Sequence, residues 1–360
     1  NTGEVLAMAS KRTGQTSLSN TAVTEPFEPG STLKPFVAAA LLDRKLATSD
    51  EVVNTYNGTF VLDGRTITDD FKAPSLKLAD VIRYSSNIGI VQFGMRLTPR
   101  EKYETFRDIG LGMATGVAIP GESDGTLREP KKWSATSAAS VTMGYEVSVT
   151  PLQLVTAYSA LANGGELLEP HIVKEIRAPD GDVIFQAKRR VLRRVFSPGV
   201  IGQVREFMKA VVDSGTSVKA DMAAYDIAGK SGTARRTIKG RGYVAGNYTA
   251  SFVGIFPANK PQFVVLVKFD SPRRSFYGGD IAAPVTAIVL RTALAARDAA
   301  LDRSELAAVE REVPLAPAEK TKGPNDSARP DEIADTVPNA TPLPPAAERP
   351  AQPAKVIALP

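Results

Sequence analysis

The chain has no cysteine and a single histidine, His171. Without a thiol there is no thiolate nucleophile, no disulfide and none of the commoner zinc sites. The one imidazole sits beside a proline, in Glu169-Pro170-His171-Ile172. It is expected at a loop or strand edge, which argues against a histidine-based triad or a metal centre. No stretch approaches the 18 or so consecutive apolar residues of a membrane helix. The net charge of +5 is scattered, apart from short runs such as Lys188-Arg189-Arg190 and Arg193-Arg194. Runs of that length read as solvated faces, and no nucleic-acid partner is expected. No cofactor is expected either. The chain opens on Asn1 rather than Met and reads as trimmed, so any signal or anchor that preceded it is not visible in the sequence.

What is present is an ordinary globular balance, 43% hydrophobic and 23% charged over 360 residues, enough for one large domain or two. Residues 2 to 9 read as a turn feeding a short strand. Leu33, Phe36, Val37, Ala40 and Leu41 draw an apolar stripe along a helix from Ser31 to Leu42. A second helix is expected from Ser75 to about Tyr84, and a third opens at Thr150-Pro151 and closes at Asn163-Gly164-Gly165. A further helix falls near 200 to 212. Residues 251–256 and 262–269 read as a hairpin, and the apolar helix from Ala282 to Ala296 is expected to cover it. The fold class is α+β, an antiparallel sheet from both chain ends with a helical insertion. Domain boundaries are expected at 1–300 and 312–360. The second segment, with eleven prolines among the last 47 residues, lacks the apolar content to offset ordering entropy and is expected to be a disordered tail.

Three short motifs carry the chemistry. Ser31-Thr32-Leu33-Lys34 places a serine and a lysine one helical turn apart. A serine needs its proton removed before it attacks a carbonyl. With no suitable histidine, the candidate base is a lysine whose pKa is lowered by desolvation. Alone, Ser31 fits equally well as a helix N-cap. Ser85-Ser86-Asn87 follows a helix and precedes an apolar run; its hydroxyl can relay a proton and its amide can hold a carbonyl, or it is simply a turn. Lys230-Ser231-Gly232-Thr233 lies on a strand entered through Gly229. There a lysine adds positive charge, Gly232 admits a close backbone, and Ser231, Thr233 and strand N–H groups can bind a carboxylate and an oxyanion. A phosphate loop is rejected, because the Gly-x-x-x-x-Gly-Lys-Ser/Thr spacing is missing.

In this order the three match the Ser-x-x-Lys, Ser-x-Asn and Lys-Ser/Thr-Gly set of the penicillin-interacting serine enzymes. The resemblance extends to Thr2-Gly3-Glu4-Val5-Leu6-Ala7-Met8-Ala9, Phe27-Glu28-Pro29-Gly30, Thr115-Gly116-Val117, Ser148-Val149-Thr150-Pro151-Leu152-Gln153-Leu154, Thr249-Ala250-Ser251-Phe252-Val253-Gly254 and Tyr277-Gly278-Gly279, covering roughly residues 2 to 297. These segments resemble class B penicillin-binding proteins, and Glu28-Pro29-Gly30 with Ser86-Asn87 resembles their septal branch.

The resemblance implies a D,D-transpeptidase. Ser31 would attack the bond between the two terminal D-alanines of a peptidoglycan stem peptide and pass the acyl group to an acceptor strand, and β-lactams would stall as acyl adducts. Lys34 would be the base, Ser85 the proton relay and Asn87 the donor-orienting amide. Lys230 would supply field, Ser231 or Thr233 would hold the terminal carboxylate, and the N–H groups of Ser31 and Thr233 would form the oxyanion hole. It further implies an extracytoplasmic domain tethered to the inner membrane, with a glycan polymerase and division proteins as partners through upstream regions. Two departures stand out: Tyr145-Glu146-Val147 where the family has a Gly-x-Gly stretch, and Arg235-Arg236 after the third motif. A hydrolase, either a β-lactamase or a carboxypeptidase, shares the triplets, but the Glu-x-x-Leu-Asn that activates water in class A β-lactamases has only Glu129-Pro130-Lys131-Lys132-Trp133 as an imitation. A non-catalytic β-lactam sensor or scaffold is the other alternative.

Overall fold

A computed structural model describes residues 2–12, 20–238, 242–273, 275–296 and 300–311. The expected tail at 312–360 lies outside the described residues. Two clusters of apolar side chains organise the rest. One surrounds Phe36, Leu41, Ile90, Phe93 and Leu161 among helices; the other joins Phe252 and Phe256 to Ala283, Ala287 and Leu290 between a sheet and a helix.

The helical part is built on α1 (Lys34–Asp43), α2 (Leu78–Arg83), α3 (Asn87–Gly94), α4 (Pro99–Asp108), α5 (Ser137–Thr142), α6 (Pro151–Ala162) and α7 (Pro198–Ser214). Helix α6 starts and stops where the sequence marks it. Thr150 accepts from the Gln153 N–H while the Gln153 side chain accepts from the Thr150 N–H, and Asn163 ends the helix. Two expectations change. Residues 31–33 form a 3-10 turn (Gly30–Leu33) ahead of α1, and α1 is buried on every side from Lys34 to Leu42. The apolar stripe was therefore only the sequence-visible part of a central helix. Ser75 does not start a helix. Ser75–Lys77 pair antiparallel with Val52–Asn54, and only from Leu78 does the chain turn helical, because pairing gives those backbone groups partners before the helix begins.

The sheet has three antiparallel strands, β1 (Ala228–Ile238), β2 (Gly242–Phe256) and β3 (Phe263–Asp270), in that spatial order. The expected hairpin is β2–β3, with Phe256 opposite Phe263. Helix α8 (Gly278–Ala295) covers one face. It has the length and mean hydropathy of a spanning segment, yet its Ala282, Ala283, Ala287 and Leu290 are sheet-packed core.

The mixed α and β architecture is as expected, but the chain start does not contribute a strand to this sheet. Residues near Gly3 instead bridge to His171, whose N–H donates to Gly3 O and whose carbonyl accepts from Val5 N, both at 2.9 Å. The left-handed Gly3 (φ +91°) turns the chain toward Glu169–His171. His171 is thus the edge residue its sequence setting suggested. At the other end, Leu306 joins the cluster under α8, and Arg311 pairs with Asp221 and Asp226. The basic run at 189–194 lies against Glu166 and Glu169.

Candidate active site

The Gly30–Leu33 turn lies along the free edge of β1. A Cβ at Gly30 would come within 3.2 Å of Ala234 Cβ, and one at Gly232 would meet Ser251 Oγ at 2.5 Å and Pro29 O at 2.9 Å. At Gly232 a Cβ has no room against the Pro29 carbonyl, and Gly30 is left-handed (φ +54°), a conformation that favours glycine. The turn is pinned from beneath by fully buried Tyr158, whose hydroxyl donates to Thr32 O at 2.6 Å, and by Gly30 N–H to Gly144 O at 3.0 Å. Ser31 occupies the first turn of this short helix, where N–H groups have no partner within the helix.

Lys34 follows and is completely buried. Its Nζ donates to Ser85 O at 2.5 Å, Asn87 Oδ1 at 2.8 Å and Ser85 Oγ at 3.3 Å, all three donors of an ammonium. Ser85 is left-handed (φ +59°), which turns its carbonyl and hydroxyl toward the same ammonium. Such a conformation costs on the order of 1 kcal/mol and persists where the surroundings fix it. From the opposite side Lys230 Nζ donates to Ser85 Oγ at 2.8 Å and to Ser231 O at 3.2 Å. The Ser85 hydroxyl therefore lies between two buried lysines.

Desolvation lowers Lys34 to about 8, while Asp69 and Asp70 pull the other way. Desolvation also lowers Lys230, and the charge of Lys34 adds to that. Two ammonium groups bridged by one hydroxyl discourage each other's protons. The carboxylates are on the Lys34 side, which favours the proton there.

Asp69 was not anticipated. It is buried, takes the Asn87 and Ile88 N–H groups on Oδ1 at 2.5 and 3.0 Å, and accepts from Ser86 Oγ on Oδ2. A carboxylate at a helix N-terminus is well placed to satisfy orphan donors. Phe71 stacks on Tyr84 with ring centroids 3.9 Å apart, bringing the Asp69 loop onto the segment that leads into the second motif. Asn87 also donates from Nδ2 to Thr68 O at 2.9 Å. Only a lone Asp-Asp pair marked this in the sequence, and that carries no spacing signal.

On β1, Ser231 Oγ lies 3.1 Å from Thr216 Oγ1, and Thr233 Oγ1 accepts from Gly278 N at 3.2 Å. The eight singled-out residues thus converge: Ser31, Lys34, Ser85, Asn87 and Lys230, with Ser231, Gly232 and Thr233 on the strand edge that the turn faces. Glu129, the imitation of a water-activating acid, is exposed, and Trp133 gives its indole N–H to Arg128 O at 2.9 Å.

Helices packed beside an antiparallel sheet, with Ser-x-x-Lys, Ser-x-Asn and Lys-Ser-Gly brought together at the sheet's edge, define the penicillin-interacting serine fold. The family described as the penicillin binding protein transpeptidase domain matches residues 1–291, and the chain belongs to it. Its curated homologues are class B penicillin-binding proteins. Among curated relatives, the probable peptidoglycan D,D-transpeptidase PenA of Neisseria flavescens is 32% identical over 295 residues, spanning 79% of this chain and 70% of that protein. The chain spans about half the length of other curated relatives, 45% to 49% of them. The transpeptidase domain of Burkholderia pseudomallei penicillin-binding protein 3 superposes with a TM-score of 0.73 at 38% identity, over 84% of this chain and 87% of that one. Penicillin-binding protein 3 of Mycobacterium tuberculosis in complex with aztreonam gives 0.72 at 34% identity, over 78% and 65%.

Proposed function

We propose that this domain is a peptidoglycan D,D-transpeptidase working through an acyl-enzyme on Ser31. The observation that carries the reading is the Lys34–Ser85–Lys230 chain of hydrogen bonds beside the Ser31 turn, which gives a hydroxyl nucleophile a proton path without histidine. The Ser31 hydroxyl attacks the carbonyl between two terminal D-alanines and its proton passes to neutral Lys34. Ser85 relays a proton to the departing amine as the C–N bond breaks, and D-alanine leaves. An acceptor amine then attacks the ester and restores the Ser31 hydroxyl.

Asn87 orients the donor peptide, and Ser231 or Thr233 holds its terminal carboxylate. That carboxylate, arriving near Lys230, favours charge on Lys230; repulsion then favours the neutral form of Lys34, which is the form that acts as a base. The N–H groups of Ser31 and Thr233 form the oxyanion hole, a contribution of roughly 3 kcal/mol for one such donor. A β-lactam enters by the same attack and stays attached.

The biological setting is septal wall synthesis during division. The domain lies on the extracytoplasmic side of the inner membrane, tethered by upstream sequence that also meets a glycan polymerase and division proteins. Intact mass spectrometry with a labelled penicillin tests the acyl-enzyme: one adduct on the wild type, none on Ser31→Ala. An adduct retained by Ser31→Ala sinks the assignment, and an adduct that clears within seconds replaces transfer with hydrolysis.

A further inference from the structure

Segment 27–30, which delivers Ser31, runs antiparallel to 144–149. Phe27 and Val149 exchange both backbone bonds at 2.9 Å, and Gly30 N–H reaches Gly144 O. Between these two tethers sits Glu28. Its Oε1 accepts the Glu146 N–H at 2.8 Å and the Tyr243 hydroxyl at 2.9 Å, whereas its Oε2 is buried with no hydrogen-bond partner. Tyr243 stands near the start of β2 and meets the Tyr145 ring edge-on at 5.8 Å. A single carboxyl oxygen therefore joins three segments far apart in sequence.

The loop side of this junction is itself held. Glu146 is left-handed (φ +61°), at one of the positions where the family has its Gly-x-Gly stretch. Its carboxylate accepts from Ser137 Oγ at 2.6 Å and from the Arg128 guanidinium. These bonds fix a backbone that a free glutamate rarely adopts, and they aim its N–H at Glu28. Burial raises the pKa of the Glu28 carboxyl, and the nearby Glu146 charge adds to the rise. Neither acid belongs to the proton path described above.

We propose that Glu28 is a positioning residue for Ser31, tying the nucleophile turn to the Tyr145-Glu146 loop and to the Tyr243 end of the β1–β2 hairpin through its acceptor oxygen. This rests on the acyl-transfer reading. Its consequence is that the chemical step, rather than ligand capture, depends on Glu28. An ångström of freedom in the turn costs up to about a hundredfold in rate.

Stopped-flow acylation with a fluorescent penicillin separates the two steps. Glu28→Ala is expected to lower the limiting acylation rate about tenfold to a hundredfold while the concentration dependence stays within twofold. Glu28→Gln keeps the acceptor oxygen and is expected to restore the rate to within about threefold. Tyr243→Phe is expected to lower it less than Glu28→Ala and to add nothing in the Glu28→Ala background. An Ala variant as fast as wild type, a Gln variant as slow as Ala, or losses that multiply in the double variant each overturn the proposal. If Glu28→Ala does not fold, Tyr243→Phe carries the test, since it removes only one hydroxyl. Amide exchange over 28–31 and 144–147 reads the same tether without chemistry. It should quicken in Glu28→Ala and Tyr243→Phe and stay slow in Glu28→Gln; equal protection in all of them refutes the tether. A wild type that takes no penicillin but shows this exchange pattern overturns only the acyl-transfer reading.

Discussion

Two regions of the molecule bury a lysine with the same consequence for its proton and different surroundings. Beside the Ser31 turn, Lys34 is lowered to about 8 and is bonded to the second motif. On α4, Lys102 is buried to 2% exposure and also lowered to about 8, by desolvation alone. Its Nζ has the Ala138 carbonyl at 3.3 Å and the Met95 sulfur at 3.7 Å. A depressed pKa thus marks burial in both places. What sets Lys34 apart is the hydroxyl it shares with Lys230 and the serine turn beside it.

The sharpest way to break this comparison is to remove each lysine in turn. Lys34→Ala is expected to cut acylation by roughly 10³-fold or more, the upper range for loss of a general base, while Lys102→Met stays within about twofold. Comparable losses in both would reduce Lys34 to a structural role. Ser85→Ala should follow at about a hundredfold, measured by the same penicillin kinetics, because it removes the group bridging the two amines.

The pH profile sharpens the contrast further. Neutral Lys34 is the active form, so acylation should rise with pH and level off above about 8. Lys102→Met should leave that profile in place. A profile that is flat between pH 6 and 9 would remove Lys34 as the base.

Asp69→Ala should cost about 2–4 kcal/mol in denaturant unfolding, since the bonds to Ser86, Asn87 and Ile88 are lost together, with acylation falling through the displaced Asn87. The smallest effect is on Lys102 itself. The unfolded chain keeps that lysine protonated up to its ordinary pKa of 10.5, whereas the folded protein releases the proton near 8. Between those values the unfolded state binds more protons, so stability rises with pH. Below about 8 the burial penalty is fully present. Lys102→Met should therefore be neutral to stabilising at pH 7, and its advantage should shrink as pH climbs from 8 toward 10.5.

Much of the site was legible because its chemistry rests on short motifs whose spacing is local. Ser31 and Lys34 are a turn apart, Ser85 to Asn87 are contiguous, and Lys230 to Thr233 share a strand edge. Helix α6 and the β2–β3 hairpin were legible for the same reason, as caps and turns are written in neighbouring residues. What was hidden depends on partners distant in sequence. Asp69 gains its meaning from an N-terminus 18 residues on, and Glu28 from Tyr243, 215 residues away. The extended start at Ser75 follows from pairing with Asn54. That α1 is enclosed on all sides follows from packing that periodicity alone does not record.

The close backbone contacts around the nucleophile turn also bear on how this protein can change over generations. Gly232 is walled by Ser251 Oγ, Pro29 O and Thr32, Gly144 abuts the Gly30 carbonyl, and Gly278 faces the carbonyls of Ser251 and Gly232. Any side chain at these three positions collides with atoms that cannot yield. A lineage selected to evade a drug bound beside Ser31 is thus denied these three sites.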